Sequence, residues 1–419
     1  MLTKIIPFKD NILLFFMLFS FAFFLSSCET DESKDQKERK ISFWHFWSEP
    51  NQQEALNQII EQFEKEYDCK VETTELSWND GKTKLFAAFN SKTAPDVLEL
   101  GSDWVAQFSS AGVLQRIDQD SIPTSRYVKF SLEPSYWDNT FYAVPWLVDT
   151  RVLFYNIDLM KKSGLDTIPP RSISEMIKYS KKISTIKDVY GFGCNGSDPH
   201  RLYKKILYFF WSFGGGIFNQ SGEPMINSKE NINALETYVK LSNYGIVETQ
   251  RQIDALFARG QIGLWISGGW LLEKIKNENP GLNFGVALLP GLENEPGISF
   301  AGGEYLSISR QSENYELAIQ FIDYMTNGKN AIRFCKKIIE AGFPADKNYY
   351  NDDYYKTKPK RELFSRQLEH ARMTPVSPRW LDIESIIEKA AVEALYGKRS
   401  ATKALNEAQS SVVKLLKNK

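Results

Sequence analysis

The chain has 419 residues, of which 42% are hydrophobic, 25% charged and 14% aromatic, and its formal net charge is −1. At roughly 150 residues per domain this length suggests two or three domains. The apolar content excludes a disordered chain, and the absence of a basic excess argues against a general nucleic-acid binder.

The first 27 residues read as a targeting segment. Lys4 and Lys9 precede an uncharged, mostly apolar run over residues 12–25. A membrane-spanning helix needs ~20 such residues, so this shorter run fits the core of a secretory signal. It ends in Leu25-Ser26-Ser27-Cys28, which resembles a bacterial lipobox. The expectation is cleavage before Cys28 and acylation of that residue; stable anchoring takes more than one acyl chain, which a diacyl- or triacyl-Cys supplies. Residues 28–40 are almost wholly polar and predict a flexible tether holding a globular body outside the cytoplasm, lipid-anchored to a membrane. Cys69, Cys194 and Cys335 are too few and too widely spaced for a disulfide framework, and burial is expected for each.

From residue 41 strands alternate with helices. Residues 41–44 form a short strand. Ser48-Glu49-Pro50 follows as a helix start, with Ser48 as cap and Pro50 in the first turn, and Leu56, Ile59, Ile60, Phe63 and Tyr67 recur at helical spacing. Residues 71–76 and 97–100 read as strands with a helix at 84–89 between them. Further strands are predicted at 152–155, 264–266, 284–288 and 298–309, and helices at 174–183, 232–241 and 313–325. Two helical runs close the chain, the first ended by Gly397. This alternation implies an α/β architecture with parallel sheets.

Signatures of catalysis are sparse. There is no P-loop, no Gly-x-Ser-x-Gly and no His-Glu-x-x-His, and the three histidines, His45, His200 and His370, lie far apart in sequence. No metal and no cofactor is expected. Asp103, Asp149 and Glu304 can supply a carboxylate pair, which glycoside hydrolysis requires and which also binds sugar hydroxyls without turnover. What recurs is a Trp with Gly or a polar residue just after a strand: Trp44-His45-Phe46-Trp47, Gly101-Ser102-Asp103-Trp104 and Gly268-Gly269-Trp270. In open α/β sheets ligands sit beyond the carboxyl ends of the strands. A Trp face with carboxylates around it matches a sugar ring, which presents C–H groups on one face and hydroxyls around its rim.

In order along the chain, several stretches resemble the bacterial extracellular solute-binding proteins of family 1, the maltose-binding-protein-like group. They are Phe43-Trp44-His45, Ala94-Pro95-Asp96-Val97-Leu98, Ala111-Gly112-Val113-Leu114, Tyr142-Ala143-Val144-Pro145, Leu153-Phe154-Tyr155-Asn156, Phe257-Ala258-Arg259-Gly260-Gln261-Ile262-Gly263, Gly285-Val286-Ala287-Leu288-Leu289-Pro290-Gly291 and Ala301-Gly302-Gly303. The resemblance covers nearly all of residues 41–416. It implies a two-lobed periplasmic-binding-protein fold of the type II kind, with two α/β lobes joined by a multi-strand hinge. The lobes are expected over residues 41–149 with about 300–326, and 150–299 with about 327–419.

The same resemblance implies ligand-facing roles for Trp44, His45, Trp47, Ser102, Asp103 and Trp104 in the first lobe. It places Trp146 and Asp149 at the crossover, Gly269 and Trp270 as the platform of the second lobe, and Gly302 and Gly303 as a strand of close approach. Asn195, Arg372 and Trp380 complete the expected set. Leu100 stands where the maltose binders have Trp, which argues against maltose itself. The implied function is a monomeric carbohydrate receptor without enzymatic activity, which delivers its ligand to the membrane permease of an ABC importer. A surface glycan-binding lipoprotein without a transporter and a glycosidase are the alternatives.

Overall fold

The computed structural model describes residues 39–417 apart from Ser197, so the predicted signal segment, lipobox and most of the tether lie outside the described residues. Residues from Lys40 onward form one compact unit. It is built on two sheets, and each is the floor of one lobe.

The strand Lys40–His45 alternates outward and buried positions and sends Ile41 and Phe43 into the core. The helix Pro50–Tyr67 lays Leu56, Ile59, Ile60 and Phe63 on the same core. Phe321, from the helix Tyr315–Thr326, meets Phe43 at 5.2 Å and Phe63 at 5.1 Å edge to face, a geometry that aromatic quadrupoles favour. Glu49, not Ser48, caps the helix Pro50–Tyr67, and its N–H donates to Gln52 Oε1 at 3.1 Å in a capping box. Gly397 ends the helix Trp380–Leu395 with φ of 66°, a left-handed conformation that glycine adopts without Cβ strain.

In the first lobe the seven-stranded sheet sets Lys70–Glu75, Lys40–His45 and Val97–Gly101 parallel, with Lys40–His45 in the middle. Ser299–Ile308 then runs antiparallel to Val97–Gly101, and Ala143–Thr150 antiparallel to Ser299–Ile308. The second lobe orders five strands as Phe284–Ala287, Val152–Asn156, Ile262–Ser267, Tyr190–Asn195 and Gly245–Glu248. Of these, Val152–Asn156 is antiparallel to both its neighbours. The sheets are therefore mixed rather than parallel. A strand that arrives from the other lobe enters its new sheet from the carboxyl end of the resident strands, so it runs against them.

Arg151 alone separates Ala143–Thr150 of one sheet from Val152–Asn156 of the other. The chain returns through Ser299, whose hydroxyl donates to the Arg151 carbonyl at 2.9 Å. The expected lobe boundary near residue 327 falls later. The helix Gly328–Lys337 packs on Pro50–Tyr67, and Phe343–Pro344 joins the edge of the first sheet. The helices Trp380–Leu395 and Ala401–Lys417 pack on Lys229–Ser242 in the second lobe. Helical spacing shows which face of a helix is buried, not which lobe buries it. Cys69, Cys194 and Cys335 are all buried, and no disulfide joins the described cysteines.

Candidate ligand site between the lobes

The two lobes meet where their strands end. Val97–Gly101 gives way to Ser102 and Asp103. A Cβ on Gly101 would lie 2.7 Å from Asp103 Oδ1, so glycine lets that carboxylate fold back over the strand end. Asp103 Oδ2 accepts a hydrogen bond at 3.2 Å from the hydroxyl of Tyr203, which opens the second-lobe helix Tyr203–Ser212. Burial, reinforced by the charge of Asp103, holds the Tyr203 phenol well above its ordinary range, so it stays a donor.

Acids of the helix Trp380–Leu395 surround the start of Tyr203–Ser212. Glu388 accepts from the backbone N–H of His200 and of Tyr203, each at 3.0 Å. Glu384 meets His200 Nδ1 through one oxygen, and its buried Oε2 has no partner. Burial pushes the Glu384 carboxyl up to about 7, while its bond to Glu384 raises His200. His200 holds φ at 63°, a left-handed conformation that is uncommon outside glycine. Lys204 lies over the Phe300 ring at 5.2 Å, and burial lowers its ammonium despite Asp103, Asp149 and Glu384 nearby.

At the crossover Arg151 pairs with Asp149 at 2.5 Å and lies 4.6 Å over the Trp270 ring and 5.4 Å over Phe300. The Trp270 indole N–H donates to Asp254 Oδ2 at 2.9 Å, and a Cβ on Gly268 would come within 2.0 Å of the same ring. Trp270 is thus fixed by three neighbours before any ligand arrives. Behind the first-lobe strand ends, Glu99 is buried, accepts from the Phe46 N–H at 2.9 Å and is also held by the Trp47 side chain. Burial lifts Glu99 to about 8, and burial with the charges of Asp149 and Glu99 raises Glu304 well above the carboxylate range. At neutral pH both are carboxylic acids, able to donate as well as accept.

Of the residues singled out in the sequence, Asp103, Asp149 and Trp270 come together here, with Glu304 behind them. Trp47 and Trp146 pair edge to face at 6.2 Å, both buried; Trp47 reaches the Glu99 carboxyl, and the Trp146 indole N–H lacks a partner. Ser102 is buried, its N–H donating to the Gly303 carbonyl at 2.9 Å. His45 accepts from the Trp47 N–H through Nδ1 at 3.3 Å, and burial depresses it to about 4, so the ring is neutral. Gly269 lies under Ile339 of the first lobe, whose carbonyl a Cβ would approach to 3.3 Å.

The remaining expected residues pack within the protein or lie at its surface. Trp104 packs against Phe46 and Trp78 and is core. Trp44 is half-buried against that same core. Gly302 and Gly303 make room for the protein itself: a Cβ would meet the Phe300 ring at 2.8 Å or the Leu147 carbonyl at 2.3 Å. Asn195 is fully buried and bonds Asp198 at 2.6 Å. Arg372 is exposed, beside the start of Ser299–Ile308. Trp380 is buried edge to face against Tyr203 at 5.7 Å, and its indole N–H lacks a partner.

Sequence reasoning missed Arg151, Tyr203, Lys204, His200 and Glu384. A signal existed for Glu384: with Glu388 it makes an acidic i, i+4 pair inside the apolar stripe Leu381, Ile383 and Ile387. Among the described residues no group of three or more His, Cys, Asp and Glu could hold a metal ion, and no helix is long and apolar enough to cross a membrane.

Two mixed α/β lobes with a polar and aromatic seam between them match known folds. Residues 47–332 match the family of bacterial extracellular solute-binding proteins. The chain belongs to that family. Among the relatives of this solute-binding protein is the galactooligosaccharide-binding protein of Bacillus subtilis, 27% identical over 414 residues and 94% of each chain. A Thermotoga lettingae ABC transporter solute-binding protein, solved bound to α-D-tagatose, superposes with a TM-score of 0.81 at 23% identity. That match covers 90% of this chain and 100% of the other. The GacH receptor of Streptomyces glaucescens, solved free and with acarbose, also gives 0.81, at 22% identity over 91% of this chain and 99% of its own. These likenesses agree with the two-lobed architecture built up from the sheets.

Proposed function

We propose that this solute-binding protein is an extracytoplasmic carbohydrate receptor that closes its lobes on a sugar and presents it to the permease of an ABC importer. The observation that carries the reading is the seam itself: Asp103 of the first lobe accepts from Tyr203 of the second, Arg151 pairs with Asp149 over the Trp270 ring, and the buried Arg151 Nε and Glu384 Oε2 have no partner. Buried polar groups are normally paired, and at this seam a ligand can complete the bonding of the two that are not. A polyhydroxyl molecule supplies donors and acceptors in the alternation these atoms need, while Trp270 and Phe300 offer apolar faces. Closure follows if the ligand bonds both lobes, since it then favours the state in which both contacts are made. The relatives named for galactooligosaccharides and maltodextrins support a saccharide over other solutes.

A thermal-shift screen of residues 40–419 against neutral mono- and oligosaccharides tests the reading. A ligand held only by the folded state raises the melting temperature, by about 2.7 kcal/mol of stability at a hundredfold excess over Kd. Binding with the sugar recovered intact supports a receptor. Release of cleaved product would instead make the protein a glycosidase, and a flat screen would remove carbohydrate from consideration.

The same reading has Cys28 acylated and the monomeric protein tethered to the membrane. Cys28→Ser is expected to move it from the membrane fraction to the soluble fraction. Continued membrane association of the variant would show that the lipid anchor is not what holds it.

A further inference from the structure

Trp78 is the one exposed tryptophan among the described residues, at 41%. It sits in the turn between Lys70–Glu75 and the helix Gly81–Ser91, and no expectation drawn from the sequence included it. The turn is fixed by the Ser77 hydroxyl donating to Asp80 at 2.6 Å and by the Gly81 N–H donating to the Ser77 carbonyl at 2.7 Å. The indole is fixed too. It stacks on Phe46 at 4.1 Å with 19° between the planes and meets Trp104 edge to face at 5.4 Å. With one face on Phe46 and an edge on Trp104, its exposure falls on the remaining face.

The ring lies beside the seam. A Cβ on Gly101 would sit 3.6 Å from Trp78 Cζ3 and 2.7 Å from Asp103 Oδ1, so the ring and the carboxylate flank one backbone position. Asp103 is the residue that Tyr203 of the other lobe reaches. Lys82, on the helix that follows the turn, feels the charges of Asp103, Glu384 and Asp382 against its burial. A rigid aromatic face, a carboxylate and an ammonium at one mouth of the cleft form the combination that holds a sugar ring by its C–H face and its hydroxyls.

We propose that Trp78 is an outer stacking platform of the ligand site, so that the ligand is an oligosaccharide of at least two rings, one of them seated on Trp78 beside Asp103. The proposal rests on the carbohydrate reading above and adds to it a minimum ligand length. An exposed indole held rigid by two aromatic neighbours loses little conformational freedom when a ring stacks on it.

Calorimetry on the wild type, Trp78→Ala and Trp78→Phe tests it, with glucose, maltose and maltotriose as one series and galactose with its β-linked di- and trisaccharides as the other. In Trp78→Ala the ratio of disaccharide to monosaccharide affinity is expected to fall about tenfold, the order of one lost stacking platform. Trp78→Phe keeps an apolar face and is expected to restore most of that ratio. An unchanged ratio, or an equal loss for every chain length, overturns the subsite while leaving the carbohydrate reading intact. A wild type that binds neither series overturns both.

Discussion

Asp254→Ala is expected to lower the unfolding free energy by about 3–5 kcal/mol, measured by urea titration at neutral pH. The size follows from how much one buried carboxylate holds. Its Oδ1 accepts from the Trp265 indole at 2.7 Å and the Ser267 hydroxyl at 3.0 Å, and its Oδ2 accepts from Trp270 at 2.9 Å. Burial pushes Asp254 up, and the two indole bonds oppose that shift. Lys205 lies in the same interior, its Nζ bonded to Gln250 at 2.5 Å, and burial drives its ammonium well down with Asp254 opposing. Removing the carboxylate strands three buried donors, two indole N–H groups and a hydroxyl, which costs more than the lost bonds themselves. Asp254→Asn keeps one acceptor and should lose less. If Asp254→Ala matched an ordinary surface substitution, within about 0.5 kcal/mol, the buried hub would be refuted.

Glu99→Gln is expected to change how stability depends on pH. The Glu99 carboxyl titrates near about 8 in the fold against an ordinary value of 4.5, with burial as the main cause. Between those two values the native state keeps a proton that the unfolded chain releases. The contribution of this group is therefore complete below the unfolded value and is lost as pH rises through the folded one. At about 1.36 kcal/mol per unit, the wild type should lose on the order of 5 kcal/mol from this group across that window. The amide does not titrate, so stability curves taken at pH 5, 6, 7 and 8 should converge or cross, with the variant gaining on the wild type toward the alkaline end. Parallel curves would mean that Glu99 is solvated and ionised like a surface acid.

Much of the architecture was legible because it rests on periodicity. The alternation over residues 41–44 and the 3.6-residue spacing of Leu56, Ile59, Ile60 and Phe63 are local, and local patterns predict local elements. The fate of individual tryptophans was not legible. Trp146 lies in a strand buried along nearly its whole length, and Trp104 is covered by a turn distant in sequence, and neither burial follows from local pattern. Trp78 stands among Ser77, Asn79 and Asp80, with no apolar neighbour at i±1 to bury it. That polar setting was the available clue, and only Phe46 beneath it explains why the ring is held. The glycines misled for a related reason. Gly302 and Gly303 signal a close approach, but which chain approaches is a tertiary fact: here it is Leu147 and Phe300. Arg151 and Tyr203 were invisible because their partners, Trp270 and Asp103, lie on the opposite side of a crossover.

The crossover itself has a mechanical consequence. The outgoing strand and the returning strand are stapled: the Thr150 hydroxyl bonds Ser299 Oγ at 3.0 Å and the Phe300 carbonyl at 2.7 Å, and Ser299 Oγ reaches the Arg151 carbonyl at 2.9 Å. Two ribbons pinned side by side resist torsion and independent slippage, and flex together about the line joining the pins. The third crossing, between Phe343–Pro344 and Trp380–Leu395, is outside these pins, which therefore set the bend only of the two ribbons they join. Where the ribbons are pinned, a molecule bridging the lobes has less relative motion left to freeze, which lowers the entropic cost of capture.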